Sequence, residues 1–267
     1  MGQKKLPGTN LSIFSDGRVQ LVLDFLNPDG AGLQLISIKR AKRPVSGICH
    51  RVILVPKTKR TGELPMNTAS EQWREKKLNI RTGGKIDHFI EEACNPYEPT
   101  DYCILEALAG SGYITSESSV IDYGCGLGRT AIFLSSRTGC RATGIEFDRD
   151  LYEGAVKNLE NAKLPAAYKK GIRFVCADAR KYQVRDENCF YFFNPFADEV
   201  LQVVLGRIRQ SYYEDPRQMY LFFYYPFDGE VAALMTEDSL QFVDEIDCTG
   251  MYEVYDRHER ILIFEVV

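Results

Sequence analysis

The chain of 267 residues has few of the residues that build metal centres or disulfide frameworks. It contains only three histidines, and no two of its cysteines stand in C-x-x-C spacing. Metal-ligand sets need cysteine or histidine at short, regular spacing, so we expect no metal site. Cysteines without such spacing are typical of buried free thiols in a reducing compartment. The eight cysteines are Cys49, Cys94, Cys103, Cys125, Cys140, Cys176, Cys189 and Cys248.

Long apolar segments are also missing. No run approaches the roughly 20 apolar residues that are needed to cross a bilayer, and the first residues contain no apolar region of signal-peptide type. We therefore expect a cytoplasmic protein without a membrane partner. Disorder is not expected either, because an apolar fraction of 45% with 12% aromatic residues is ordinary for a folded chain.

The net charge of −4 conceals two regions of opposite sign. Residues 1–84 carry 15 basic and 6 acidic side chains, a net of +9, whereas the remainder carries 18 against 31, a net of −13. The basic region could dock nucleic acid or another acidic partner. It could equally be a solvated face that complements the acidic region behind it.

Turn signals divide the chain into three parts. Residues 1–66 predict a basic β-meander, residues 67–84 a linker with a short helix over Ser70–Lys77, and residues 85–267 the main domain. Gly17 and Gly30 mark tight turns between the short strands of the meander. These strands are predicted at Leu11–Phe14, Arg18–Phe25, Leu33–Lys39 and Arg51–Val55.

The main domain alternates strands with helices, which favours a mostly parallel sheet covered on both faces. No helical pattern separates its last two strands, so we expect an antiparallel hairpin there. The fold class is therefore doubly wound α/β with a seven-stranded sheet. Strands are predicted at Ser119–Tyr123, Ala142–Glu146, Ile172–Ala177, Asn188–Asn194, Met219–Tyr225, Leu240–Ile246 and Ile261–Val266. Helices are predicted at Asp101–Ala109, Arg129–Ser136, Asp150–Ala162, Ala197–Gln210 and Gly229–Met235.

The strand that begins at Val120 runs into a loop with three alternate glycines, and Glu146 closes the next strand. Such a turn brings bare backbone to a charged cofactor, and a strand-terminal carboxylate can take ribose hydroxyls. A nicotinamide or flavin site needs G-x-G-x-x-G, but its third glycine position holds Arg129. The pattern D-x-G-x-G-x-G instead resembles that of class I S-adenosylmethionine (SAM)-dependent methyltransferases.

This resemblance implies a SAM site and a seven-stranded Rossmann-like sheet. Asp122 would bind the ammonium group of SAM, Glu146 the ribose, Phe147 and Ala179 the adenine ring, and Asp178 its amino group. The alternatives are an ordinary tight turn, a helix cap at Glu146, and an N-cap or Asx turn at Asp178. The loop residues of this predicted site are Gly124, Cys125, Gly126 and Gly128.

The fourth strand of the domain ends in Asn194-Pro195-Phe196. In amino-directed methyltransferases this position carries Asn or Asp, then two prolines and an aromatic residue. The resemblance implies that Asn194 and the Pro195 backbone orient the target nitrogen, while Phe196 stacks on the target or lines a channel. A single proline departs from the pattern of enzymes that act on nucleobases.

Asn95-Pro-Tyr-Glu-Pro-Thr-Asp101 resembles a segment of the non-SET histone-lysine methyltransferases and their bacterial relatives. The resemblance implies that Tyr97 and Thr100 contact SAM, although Thr100 could instead be a helix N-cap. We therefore expect a SAM-dependent methyltransferase directed at a nitrogen of a protein or nucleic acid, with a homodimer possible. A small-molecule methyltransferase and a non-catalytic SAM-binding regulator are the alternatives.

Overall fold

The computed structural model describes residues 9–13, 19–23, 68–84 and 97–267, with the backbone alone for residues 9–13, 19–23, 68 and 69. The chain divides into two compact units, residues 1–64 and 65–267. In the first unit, β1 (Thr9–Ile13) pairs antiparallel with β2 (Val19–Leu23). Two further strands predicted there, Leu33–Lys39 and Arg51–Val55, lie outside the described residues.

The second unit is an α/β domain whose elements follow the predicted alternation. In chain order they are α1 (Thr68–Leu78), α2 (Tyr102–Gly110), β3 (Ser119–Tyr123), α3 (Arg129–Thr138), β4 (Arg141–Glu146), α4 (Arg149–Asn161), α5 (Ala166–Lys170), β5 (Ile172–Cys176), β6 (Cys189–Phe192), α6 (Asp198–Glu214), β7 (Tyr220–Tyr224), α7 (Asp228–Met235), β8 (Leu240–Asp247) and β9 (Arg260–Val266).

Seven strands form one sheet in the order β5-β4-β3-β6-β7-β9-β8. The first five are parallel, whereas β9 runs antiparallel to both β7 and β8. The edge strand β8 has an irregular register between Phe242 and Asp244. The predicted fold class, a mostly parallel seven-stranded sheet that ends in an antiparallel hairpin, is confirmed.

Apolar layers cover the sheet on both faces. Phe190 and Phe192 of β6 belong to the layer beneath α6 and α7, while the alternating Tyr191 belongs to the layer beneath α2 and α3. Strands that are buried on both faces need continuous apolar runs, and every residue of β3, β6 and β7 is buried. The short helix α5 was not predicted, because five residues between Pro165 and Gly171 are too few to show helical periodicity.

Candidate cofactor and acceptor site

The predicted site residues gather at the carboxyl ends of the parallel strands. Strand β3 pairs with β4 on one side and with β6 on the other, so the sheet order reverses at β3. Ligands of open α/β sheets bind in the crevice at such a switch point. A cleft opens here, lined by residues before α2 and by the loops after β3 and β6. Its lining includes Tyr97, Thr100, Asp122, Gly124, Cys125 and Phe193.

The loop after β3 needs its glycines for conformation and for space. Gly124, Gly126 and Gly128 have φ angles of 71°, 52° and 83°, in the left-handed region that side chains rarely adopt. A Cβ atom at Gly126 would lie 2.0 Å from Cε2 of Tyr97, and one at Gly124 would lie 2.6 Å from Cβ of Pro195. The glycines are therefore required by contacts within the protein itself. A cofactor that approached the loop closely would be a further reason for them.

Glu146, at the end of β4, supports the glycine loop from below. Its two carboxylate oxygens accept hydrogen bonds from the backbone N–H of Gly126, at 2.8 Å, and of Asp148, at 2.9 Å. The N-cap of α4 is Asp148, which accepts from the N–H of Leu151, so the alternative that Glu146 caps this helix is wrong. Each oxygen has a second lone pair, so Glu146 can still accept from ribose hydroxyls.

Asp122 is a buried acid with an unsatisfied oxygen. It is 4% exposed, and its Oδ2 atom has no hydrogen-bond partner. Burial, and then the nearby Glu146 carboxylate, raise the pKa of Asp122 to about 8, while a hydrogen bond from the backbone N–H of Ala131 opposes the shift. A buried acceptor without a partner is able to take a hydrogen bond from a ligand or a water molecule. A cationic group beside Oδ2 would satisfy the atom and favour the ionised carboxylate.

Tyr97 and Thr100 both lie at the cleft. The Tyr97 ring covers Gly126, and its hydroxyl donates to the carbonyl of Thr82 at 2.7 Å. Thr100 is 3% exposed, and its Oγ1 lies 2.9 Å from the hydroxyl of Tyr191. The N-cap of α2 is Asp101, so the alternative role for Thr100 as N-cap is wrong.

The predicted adenine contacts lie after β4 and β5. Phe147 has a side chain that is 41% exposed, as a stacking platform requires. Asp178 accepts a hydrogen bond from the backbone N–H of Arg180 and pairs with its guanidinium at 2.9 Å, which lowers the pKa of this carboxyl. It is also the N-cap of the 3-10 turn that begins at Ala179, so the capping alternative describes its local geometry. Its adenine contact and that of Ala179 stay predictions.

The motif after β6 lies directly beside the glycine loop. Asn194 has a φ angle of 41°, and its side-chain Nδ2 donates to the carbonyl of Tyr225 at 2.9 Å. Pro195 is the residue that approaches Gly124. Phe196 packs edge-on against Tyr123, with ring centroids 6.3 Å apart. The structure therefore places Pro195 against the glycine loop, with Asn194 one residue before it, and Phe196 partly in the core.

Two groups of residues at the site escaped sequence reasoning. Tyr225 donates its hydroxyl to Asp256, which also lies 2.8 Å from Nδ1 of His258. On the opposite side, Arg129 is 4% exposed and Asn158 is 8% exposed, and both contact the segment before α2. Arg129 was noted only as a residue that excludes a third glycine, and the others carried no motif.

The carboxyl ends of β3 and β4 together offer acceptors for a ligand with a positively charged group and hydroxyls. Asp122 offers an acceptor without a partner, Glu146 retains acceptor capacity, and the loop between them has no side chain at three positions. Residues 120–210, which contain all three features, match the family model described as "Methyltransferase domain". The chain contains a methyltransferase domain. This match supports the resemblance to class I SAM-dependent methyltransferases, a family whose cofactor is SAM.

The chain is similar to methyltransferases whose names give different acceptors or none. A histone-lysine N-methyltransferase, H3 lysine-79 specific, of Dictyostelium discoideum is 26% identical over 115 residues, which is 43% of this chain. The chain spans 6% of the length of that relative. An RNA methyltransferase from Salinibacter ruber is 18% identical, with a TM-score of 0.43 over 63% of this chain and 94% of the other. A TehB-like methyltransferase from Corynebacterium glutamicum is 16% identical, with a TM-score of 0.43 over 61% and 86%. These likenesses do not determine the acceptor.

Neither a membrane-spanning helix nor a metal-binding cluster is present in the described part of the chain. No helix in it is long and apolar enough to cross a membrane. No group of three or more His, Cys, Asp or Glu side chains in it could hold a metal ion.

Proposed function

We propose that this methyltransferase domain transfers the methyl group of SAM to a nitrogen atom of a macromolecular acceptor. SAM supplies a methyl group on a cationic sulfur, and the residues of the chain bind, orient and exclude water. Asp122 would hold the ammonium group, Glu146 the ribose and Phe147 the adenine ring. The unsatisfied oxygen of Asp122 and the exposed ring of Phe147 support these roles.

The contact between the two loops is the observation that carries the proposal. Pro195 packs on Gly124, so the residues after β6 adjoin the loop that would hold the methionine part of SAM. The amide nitrogen of Asn194 is bonded to Tyr225, which fixes the orientation of the amide. An amide oxygen can accept more than one hydrogen bond, so Asn194 can orient an acceptor N–H group. Methyl transfer depends largely on such positioning.

The surroundings of Asn194 favour a protein nitrogen over a nucleobase. Phe227 is 55% exposed, and its ring contacts those of Tyr225 and His258, so aromatic surface lies at this edge of the sheet. Asp256 adds a carboxylate to the same edge, where the carboxylate of Asp228 is already paired with Arg257. A hydrogen bond from Tyr225 is the main cause that lowers the pKa of Asp256 to about 2, so its carboxylate is charged at neutral pH. Carboxylates repel a phosphate backbone and attract a cationic amine.

Replacement of Asn194 by glycine tests the proposal. Glycine tolerates the φ angle of 41° at this position, so Asn194→Gly removes the side chain without strain in the backbone. We expect SAM affinity within about twofold of wild type and at least a 100-fold loss of methyl transfer, because orientation contributes several kcal/mol to catalysis. Calorimetry measures the first quantity, and transfer of labelled methyl groups to protein and RNA fractions of a cell extract measures the second.

Asn194→Asp is the matched comparison, because aspartate keeps an oxygen acceptor and replaces the N–H donor to the Tyr225 carbonyl with a carboxylate oxygen. It should retain more activity than the glycine variant. Near-normal transfer by Asn194→Gly would remove Asn194 from the mechanism. Label in RNA alone would show that the acceptor is a nucleic acid, and SAM binding without transfer to any fraction would favour a regulator.

A further inference from the structure

Arg129 occupies an unfavourable place for a cation. It is the first residue of α3, directly after the glycine loop, and it is 4% exposed. A positive charge at a helix N-terminus opposes the helix dipole, and a buried charge is costly unless it is paired and hydrogen-bonded. The structure must therefore offset this charge with partners from elsewhere in the chain.

The partners come from residues 68–84, which we call the N-terminal strap. Glu71 and Glu75, one turn apart on α1, both contact the Arg129 guanidinium, and Glu75 does so at 3.2 Å. Nε of Arg129 donates to Oγ1 of Thr82 at 2.6 Å, and the guanidinium lies 4.4 Å above the Tyr102 ring. The strap is thus fastened to the helix that begins at the glycine loop.

The same strap also holds two residues that contact the glycine loop. The carbonyl of Thr82 accepts the hydroxyl of Tyr97, whose ring covers Gly126. Asn158 of α4 donates to the carbonyl of Arg81, at 3.0 Å, and to that of Leu127 within the loop, at 2.9 Å. The strap therefore reaches the loop through Arg129, Tyr97 and Asn158.

We propose that the N-terminal strap is part of the cofactor site, and that Glu71, Glu75 and Thr82 are positioning residues that act through Arg129 and Tyr97. This inference rests on the proposed function, because it requires the cleft to bind SAM. Thr100 and Arg129 line the cleft as well as contacting each other, so loss of the strap leaves the cleft wall unsupported. Linkage requires the effect to be reciprocal, so a bound ligand stabilises the docked strap.

Thr82→Val and Glu75→Gln test this role in the full-length chain. Valine has the size of threonine but offers no hydroxyl to Arg129, and glutamine keeps the length of Glu75 but not its charge. Calorimetric titration with S-adenosylhomocysteine should show at least tenfold weaker binding in both variants. Hydrogen exchange of the α1 amides should slow at least fivefold when the wild type is saturated with S-adenosylhomocysteine.

Glu106→Gln is the matched control. Glu106 of α2 pairs with Arg74 of α1 at 3.4 Å and with Arg137 of α3 at 3.0 Å. This variant therefore removes an ion pair of the strap and one at the far end of α3, while the partners of Arg129 stay in place. It should bind S-adenosylhomocysteine within twofold of wild type. Thermal unfolding shows whether each variant is folded at the temperature of the titration, which separates a positioning role from a general loss of stability. Thr82→Val also tests the strap without a change in charge.

The inference is overturned if Thr82→Val and Glu75→Gln are folded and bind S-adenosylhomocysteine with wild-type affinity. It is also overturned if the ligand does not slow hydrogen exchange of the α1 amides. In either case the strap is a structural element only. If the wild type itself bound no S-adenosylhomocysteine, the proposed function would fail, and the inference with it. The two failures are therefore distinguished by the wild-type titration.

Discussion

The two halves of the site are built in different ways. The cofactor half, after β3 and β4, consists of buried backbone and buried carboxylates, with Asp122 and Glu146 at 4% and 8% exposure. The acceptor half, after β6 and β7, presents exposed aromatic rings and carboxylates around Asn194. The first half is closely packed, whereas the second is open to solvent, and the two meet where Pro195 packs on Gly124. Substitutions in the two halves should therefore have different consequences.

The largest expected effect is that of Gly126→Ala. The new Cβ would meet the Tyr97 ring at 2.0 Å, in a backbone with a φ angle of 52°, so the loop or the ring must move. We expect at least a 100-fold loss of S-adenosylhomocysteine affinity in calorimetry. Gly206→Ala on α6 is the control, since no atom lies within 4 Å of its Cβ position. It should stabilise the domain by roughly 0.5–1 kcal/mol. Equal affinity in both variants would contradict the close packing of the cofactor half at Gly126.

A smaller effect is expected for Asp122→Asn. With a pKa of about 8, Asp122 is mostly protonated at pH 7 in the free protein, and a cationic ammonium group would favour its ionised form. Binding of S-adenosylhomocysteine at pH 7 should therefore release up to about one proton, which calorimetry in phosphate and Tris buffers can count. Asp122→Asn should abolish this release and weaken binding about tenfold, or about 1.4 kcal/mol.

Asp186→Asn serves as the control for Asp122→Asn. A hydrogen bond from Arg141 lowers the pKa of Asp186, so this carboxyl is already ionised at pH 7. Its replacement should leave the proton release unchanged. If Asp122→Asn released as many protons on binding as wild type, the released proton would come from another group.

The smallest effect is expected in the acceptor half, at Glu230 of α7. Burial, and then the Asp198 carboxylate, raise the pKa of Glu230 to about 7, while the N–H of Phe227 opposes the shift. The folded state therefore gains stability from protonated Glu230 at pH 5, and loses that gain as the pH rises through about 7. We therefore compare the free energy of unfolding in urea of Glu230→Gln with that of wild type at both pH values. The difference in favour of the variant should be about 1 kcal/mol larger at pH 8 than at pH 5.

Affinity for S-adenosylhomocysteine should be unchanged in Glu230→Gln, because this residue belongs to the acceptor half. A stability difference that does not vary with pH would contradict the raised pKa. Altered affinity would show that the two halves are coupled.

Sequence reasoning worked best where apolar pattern and glycine coincide. Strand β3 has the predicted bounds, Ser119–Tyr123, because an apolar run ends at a glycine turn. The positions of Asp122 and Glu146 followed from those strand ends. The role of Thr100 was harder to predict, because its hydrogen-bond partner Tyr191 is 91 residues away along the chain.

The strap could not be predicted for a physical reason. Helix α1 has no apolar stripe, since its docked face carries Glu71 and Glu75, so the pattern favoured a solvated linker helix. Its attachment depends on ion pairs with a residue 58 and 54 positions away. Hydrophobic periodicity reveals a helix only through its apolar face, so it does not reveal a helix that is attached by ion pairs.

The irregular register at Phe242 and Asp244 affects how copies of this chain can associate. Strand β8 forms one margin of the sheet, and its outer residues include Asp244, Glu245 and Asp247. A bulged strand that carries negative charges is a poor template for another strand, because like charges repel and the spacing of the backbone groups is interrupted. This margin therefore protects the domain from aggregation by strand addition.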